Sequence, residues 1–432
     1  VLILIGGLIL YILRVCLVFF VIHLGSLSAQ PNQVLNDQPP ELGWYRGYGT
    51  DAGDHVHYGM QTSDGGYIMV GETNNESTGS DILAIKTNEV GDLEWKQVLG
   101  HRSRSDYATF VIEVGDSFEA EKGFIVAGAT NVDNQQRRCL LKFDFDGSII
   151  WQRIFPASQN SSIRGLCLLN DDSIIATGFI DSEQVGYQFI SDDGKGFVLK
   201  TDKHGNLIWD KELTSTPHGI RVEQTVDGLA IGANVWVENS TKEHQQLCLI
   251  LTDSKGNEKF SKTYGGEKND QVFDFSVTVD GGFIFAGHTL SYGVVNWDFL
   301  LLKVNKDFEE EWHQTFGQPR GYNANYIHDE SYGVKELPDG GFVVAGGTGD
   351  EYGYSESGHN LGPSDLWLAY IIRTDKKGHL KWQGLYGSPD GNNAAEYINL
   401  TNDGGFVIFT DSDTVGVMKQ HNFGLMKLRP ER

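Results

Sequence analysis

The sequence predicts an all-β fold: a seven-bladed β-propeller of four-stranded antiparallel blades, closed by an N-terminal strand around Trp44 that completes the last blade. Two marker series and their phase carry this prediction. The first series is a turn and strand reading DGGYIMVG at residues 64–71, then EKGFIVAG, DDSIIATG, VDGLAIG, DGGFIFAG, DGGFVVAG and DGGFVIFT. It closes on Gly71, Gly128, Gly178, Gly232, Gly287 and Gly346, with Thr410 in the seventh place. The second series is an aromatic anchor: Trp44, Trp95, Trp151, Trp209, Phe260, Trp312 and Trp382. Both advance by about 56 residues per step, a length suited to a four-stranded blade with generous loops. The first anchor comes before the first turn, and the last repeat runs to Lys427 without an anchor of its own. That offset is what a ring needs when its first strand finishes its last sheet, leaving no unpaired edge at the join.

Turn chemistry marks the strands within each unit. The Asp-Gly-Gly step supplies residues that tolerate positive φ in a tight hairpin. Further on, Asn88 with Gly91, Asp144 with Gly147, Asp202 with Gly205, Asp253 with Gly256 and Asp375 with Gly378 set an acceptor three residues before a glycine. This is a type I turn signature, four residues ahead of the anchor. In the fifth unit Phe308 takes the place of the glycine, so the turn there is the least secured by sequence. Between these turns, LCLILT (residues 247–252) and FLLLKV (299–304) are apolar with little alternation, as in strands covered on both faces. With 53 glycines and no long 3.6-residue periodicity beyond the first 30 residues, a helical fold fares badly against the β reading.

The units DGGFIFAG and DFLLLK, with the Trp and Gly positions that follow, resemble the secreted repeat propellers common in Bacteroidetes-type bacteria, over roughly residues 42–428. The resemblance implies the fold and no single activity. The Asp-x-x-Gly-to-Trp segment is also similar to quinoprotein dehydrogenase repeats, but those enzymes usually have eight blades and often a pair of adjacent cysteines, and neither feature is seen here.

Residues 1–29 read as a signal peptide, with Arg14 as the positive flank, residues 15–24 as the apolar region and Ala29 before the cleavage point. The competing reading is an uncleaved anchor in residues 1–24. Residues 30–41 are a linker and 42–432 the propeller, so a secreted, periplasmic or cell-envelope location is expected. Cys139, Cys167 and Cys248 lie in apolar strand segments and read as buried free thiols. A formal charge of −24 and a pI near 4.8 argue against nucleic acid as a partner. No cofactor is expected. Calcium is the conceivable exception, through acidic loops at residues 192–194 and 350–351, but no stretch has the full calcium-loop spacing and these read as solvated turns.

Strand parity places the Asp-Gly-Gly and Asp-x-x-Gly turns on one face and the remaining connections on the other. Those other connections are the long ones: residues 180–195, 235–246, 289–297, 318–331 and 347–364. Loops on a rigid scaffold are the usual seat of binding residues. One sector of this face gathers Trp297, Tyr322, Tyr326, His328, Asp329, Tyr352, Tyr354 and His359 from the fifth and sixth repeats, and Trp236 is a further off-register tryptophan. Aromatic rings beside polar groups suit sugar faces or peptide side chains, and the same rings could equally pack their own loops. His55 and His57 would point to the same side of a strand at the start of the first inner strand and form the sharpest metal candidate, but two ligands are not a site. His218 occupies a similar place in the fourth repeat.

No phosphate-binding loop, nucleophile elbow or His-Glu-x-x-His motif is present. Asp270, Asp274, Asp329 and Glu396 could supply a carboxylate pair for glycoside cleavage, or could satisfy backbone donors at strand entrances. The expectation is therefore an exported, monomeric, non-catalytic module that recognises a polysaccharide or an extracellular protein through its long-loop face. A propeller enzyme acting on glycans as hydrolase or lyase is the alternative, and a quinone-dependent oxidoreductase comes third.

Overall fold

The computed structural model describes residues 37–431 except 76–78, 101–104, 116–121, 188, 192, 239–242, 351–365 and 417–420. Among them the chain forms 28 strands in seven antiparallel sheets of four, and no helix is long and apolar enough to cross a membrane. The signal-peptide reading, and Tyr352, Tyr354 and His359, lie outside the described residues.

Strand β1 (Leu42–Tyr48) comes before the first complete blade. Blade 1 holds β2 (Gly53–Gln61), β3 (Tyr67–Asn75), β4 (Gly79–Thr87) and β5 (Leu93–Leu99), and blade 2 holds β6 (Tyr107–Val114), β7 (Gly123–Val132), β8 (Gln135–Asp144) and β9 (Ile149–Ile154). Blade 3 holds β10 (Asn160–Leu168), β11 (Ile174–Ser182), β12 (Lys195–Thr201) and β13 (Leu207–Leu213), and blade 4 holds β14 (His218–Gln224), β15 (Gly228–Glu238), β16 (Glu243–Asp253) and β17 (Glu258–Tyr264). Blade 5 holds β18 (Asp270–Val277), β19 (Phe283–Thr289), β20 (Asp298–Val304) and β21 (Glu310–Phe316), and blade 6 holds β22 (Ile327–Glu336), β23 (Phe342–Asp350), β24 (Leu368–Thr374) and β25 (Leu380–Tyr386). Blade 7 takes β26 (Ala395–Leu400), β27 (Phe406–Ser412) and β28 (Asn422–Leu428) from the C-terminal part of the chain and β1 as its outer strand. The seven inner strands touch in sequence, and β2 meets β26, so the ring is closed.

Closure repeats the chemistry of the other blades except blade 4. The anchor of each outer strand sits opposite one residue of the third strand: Trp95 opposite Lys86, Trp151 opposite Lys142, Trp209 opposite Lys200, Trp312 opposite Lys303 and Trp382 opposite Arg373. Trp44 faces Lys427 in the same register, which makes β1 a genuine outer strand supplied from the other end of the chain. Lys86 is 0% exposed, and its ammonium donates to Asp64 at 2.9 Å, Glu94 at 2.8 Å and the Thr87 carbonyl at 2.8 Å. The Asp of the Asp-Gly-Gly turn thus does more than shape a hairpin. It neutralises a buried cation, and the pairs Lys303–Asp280 (3.0 Å), Arg373–Asp339 (2.6 Å) and Lys427–Asp403 (2.9 Å) repeat this.

Five of the anchors, Trp44, Trp95, Trp151, Trp209 and Trp312, pack under the glycine of the corresponding turn in the next blade, and Trp382 donates its indole N–H to Glu431 at 2.7 Å. A Cβ on Gly147 would stand 2.7 Å from the Trp95 ring, so only glycine admits the indole there. Trp95 also donates its indole N–H to Phe145 O at 2.8 Å. Blade 5 keeps the turn without glycine: Phe308 adopts φ 66° and donates its N–H to Asn305 O at 3.0 Å. Its ring packs at a tilt on the anchor Phe260 at 4.7 Å, so apolar contact offsets the left-handed backbone.

The first two strands of every blade share one irregularity. The inner strand carries a bulge that leaves a single residue unpaired: His57, Thr109, Arg164, Ile220, Phe273, Tyr332 and Glu396 in blades 1 to 7. A bulge re-aims the side chain it frees.

Three of the expected long connections are shorter than the sequence suggested. Strands β15 and β16 stay paired as far as Glu238 and Glu243, so Trp236 lies on a strand opposite Gln245 and not in a loop. His328 and Asp329 belong to the inner strand β22, and residues 347–350 to β23. In each case polar residues continue a backbone ladder, a feature that apolar patterning does not register.

Candidate functional site at the channel mouth

The bulge residues of blades 1, 3, 5, 6 and 7 converge near the axis on the long-connection face. There they meet the connection between β11 and β12, one of the long connections read from the sequence, whose Tyr187 and Phe189 were not among the candidate residues. Tyr187 from this segment stacks on His57 at 3.8 Å and receives the Arg164 guanidinium at 4.7 Å on its ring. Phe189 stands 6.1 Å from both Phe273 and Tyr332 and is 40% exposed. The segment is held at both ends. Asp193 accepts from Ser182 Oγ at 2.6 Å and from the Glu183 N–H at 2.8 Å, and Gln136 Oε1 accepts from the Gly186 N–H at 2.9 Å. His218 accepts from the Ser191 N–H at 2.8 Å through Nδ1, and burial keeps this imidazole well below its ordinary pKa and therefore neutral.

Below this layer the channel is filled. Arg221 of blade 4 pairs with Asp274 at 2.9 Å and lies over Phe110 of blade 2 at 4.9 Å and Tyr58 of blade 1 at 5.7 Å. Tyr58 packs on Tyr397 at 4.1 Å, and the Tyr397 hydroxyl accepts from Lys335 at 2.6 Å. All of these rings and the Arg221–Asp274 pair are buried. The mouth thus has an aromatic and ionic floor.

Ionisable groups crowd one side of it. His55 Nε2 is 3.1 Å from Asp411 Oδ2 and 3.8 Å from Glu396 Oε2. Burial lowers the His55 pKa, but Asp411 and Glu396 outweigh it and the net value rises to about 10. Asp411 rises to about 8, chiefly through burial. His57 is pushed the opposite way, by burial and then by the charge of His55. On the blade 6 side, Glu330 accepts from the Tyr332 hydroxyl at 2.5 Å and lies 3.2 Å from His328 Nδ1.

The predicted blade 5–blade 6 sector is assembled differently. Trp297 packs edge-on to His288 at 5.0 Å, and its carbonyl accepts the Asp329 N–H at 2.8 Å. Asp329 is fully buried and its Oδ2 accepts the Gln318 N–H at 2.8 Å. Arg320 covers the Tyr322 ring at 5.0 Å and donates to the carbonyls of Leu366 (2.9 Å) and Thr348 (3.1 Å). The Tyr326 N–H donates to Asn323 O at 3.0 Å. Burial, followed by the charge of Asp329, raises Asp298 to about 7, and burial raises Asp329 to about 6.

Of the four candidate carboxylates, Asp270 accepts from the Gly266 N–H (2.6 Å), Ser291 Oγ (2.9 Å) and Thr289 Oγ1, and Asp274 is committed to Arg221 and the Val334 N–H (2.9 Å). Asp329 closes the 318–329 connection, and Glu396 alone of the four faces the mouth beside His55. The Asp270 and Asp329 arrangements recur elsewhere: Asp54 accepts from the Thr50 N–H at 2.7 Å, and Asp106 from Thr130 Oγ1 at 2.7 Å. A depression of 1060 Å³ on the short-turn face, lined by Leu168, Val226, Phe260 and Phe308 among others, contains none of these groups.

No family model matches the chain, and no curated protein is significantly similar to it. Solved structures do match. The WD40 domain of Neurospora crassa Pan2 superposes with a TM-score of 0.52 at 11% identity, covering 87% of this chain and 89% of that one. A fungal alcohol oxidase of the AA5 family, in complex with copper, gives 0.50 at 13% identity over 90% and 76%. A protein of unknown function from Bacteroides caccae gives 0.40 at 13% identity over 73% and 93%. At such identities the likeness is one of fold: the chain is a seven-bladed β-propeller, an architecture that serves both binding proteins and enzymes.

Proposed function

We propose that the protein is an exported, non-catalytic recognition module that holds a polysaccharide chain at the channel mouth. The observation that carries this reading is Phe189, a 40% exposed ring standing over Phe273 and Tyr332, with Arg164, Glu396 and Glu330 close by. Apolar ring faces bind the C–H faces of sugars, and charged groups around them orient hydroxyls. The blade 5–blade 6 rings are less suited, since Trp297 and Tyr322 are engaged in packing their own connections.

The test is affinity electrophoresis of the full chain against a polysaccharide panel, with reducing ends measured in the same samples. Retention without new reducing ends, weakened at least about tenfold by Phe189→Ala with an unchanged melting temperature, supports the reading. Retention that Phe189→Ala leaves untouched but Trp297→Ala abolishes moves the site to blades 5 and 6. New reducing ends that vanish in Glu396→Gln favour a glycan hydrolase or lyase, the second reading, which rests on Glu396 being the candidate carboxylate that opens into the mouth.

A further inference from the structure

Blades 1 and 7 place unlike donors at like positions. In each blade the bulge residue of the inner strand lies beside the residue that follows the closing position of the second strand. In blade 1 these are His57 and Glu72, and in blade 7 they are Glu396 and Asp411. His55, opposite Glu72 in the β2–β3 ladder, adds a fifth donor. One ligand-capable atom each from His55, His57 and Glu72 lies within 4.8 Å of the others, and the same holds for His55, Glu396 and Asp411.

Two details distinguish this cluster from an ordinary ion pair. His55 Nε2 and Asp411 Oδ2 approach to 3.1 Å, yet Nε2 makes no hydrogen bond, so its N–H axis is not directed at the carboxylate. Two ligands of one ion are spaced this way, at about 3–3.5 Å when each bond is about 2.0–2.2 Å. The second detail is His57. It is 7% exposed, its Nδ1 is 2.6 Å from the Ala108 carbonyl, and its buried Nε2 has no partner. An Nδ1–H held by a backbone carbonyl presents Nε2 as a lone pair, which is how metal-binding histidines are oriented.

We propose that this cluster binds one divalent transition-metal ion between His55, Glu396 and Asp411, whose donor atoms come together, with His57, which meets His55 and Glu72 in the other triad, as the neighbouring imidazole that supports it. Mixed imidazole and carboxylate donors suit zinc and its neighbours better than calcium or magnesium, which prefer all-oxygen shells. The ligands come from β2 at one end of the chain and from β26 and β27 at the other, so the ion would also fasten the join of the ring. The inference stands whether or not the mouth takes a sugar.

The experiment is calorimetric titration of chelator-treated full-length protein with Zn²⁺ alone, followed by Co²⁺ absorption spectroscopy and thermal melts. One Zn²⁺ per chain, a raised melting temperature and a visible Co²⁺ band are expected. His55→Ala should weaken Zn²⁺ binding at least about a hundredfold and Glu396→Gln about tenfold, while the exposed His379→Ala changes nothing. His57→Gln should keep the fold, checked by its melting temperature without metal, and shift the Co²⁺ band. Absence of uptake, or uptake indifferent to both His55→Ala and Glu396→Gln, would overturn the proposal and leave a protonated His55 paired with Asp411.

Discussion

The short-turn end of the propeller and its channel mouth are built by opposite rules. At the short-turn end blades 1, 5, 6 and 7 repeat one solution, a turn aspartate on a buried cation backed by an aromatic anchor. At the mouth the equivalent bulge residues are His, Thr, Arg, Ile, Phe, Tyr and Glu, no two alike. Repetition secures the sheets and their neighbours, and divergence at one level of the inner strands provides chemistry. Blade 4 shows the boundary of the rule: Leu251 stands opposite Phe260 where other blades carry a cation opposite tryptophan.

The strongest way to break the repeated end is to remove residues 37–48, which deletes β1. This exposes the backbone edge of β28 and should abolish cooperative unfolding, with association visible by light scattering. Next comes Arg221→Ala, at the floor between the two regions. It leaves Asp274 buried without its cation and should cost about 3–5 kcal/mol in urea unfolding. Lys86→Ala should cost about 2–3 kcal/mol, because Asp64 and Glu94 are partly exposed and recover some hydration. Lys86→Leu, which imports the blade 4 residue, should cost less than Lys86→Ala.

The smallest effect is a pH dependence. Asp298 and Asp329, at about 7 and 6, hold protons more tightly in the folded chain than in the unfolded one, so the stability they contribute is lost as pH rises from about 4 to 7. Asp298→Asn should therefore stabilise the protein by on the order of 1–2 kcal/mol at pH 8 and leave it unchanged below pH 4, a difference that melts at the two pH values would show.

The ring and its closure were legible because they depend on local chemistry repeated at a fixed interval: turn residues, an anchor and a cation. The mouth was less legible. Tyr187 and Phe189 lie in a long connection whose residues do not recur in the other repeats, and their partners come from several blades that only the closed ring brings together. A signal was nonetheless present. His57, Arg164, Phe273, Tyr332 and Glu396 each stand 14 residues before the closing position of their repeat. Asp54, Asp270, Asp329 and Asn393 each stand 17 before it, a regularity that marks strand-entrance acceptors more than catalysts. Trp236 shows the reverse difficulty, since the extended β15–β16 hairpin follows from pairing and not from apolar pattern.

The pairing of β1 with β28 has one more consequence. Leu42 and Leu428 are partners, and the Arg429 N–H donates to Glu41 O at 3.0 Å, so the first and last strands of the ring leave it side by side. They do so where the other six blades make the turn between their third and outer strands, on the side away from Phe189. A tether joined directly before Leu42 or after Arg429 therefore grips the propeller from behind and presents the mouth outward, an orientation that surface display or immobilisation on a sensor chip can use directly.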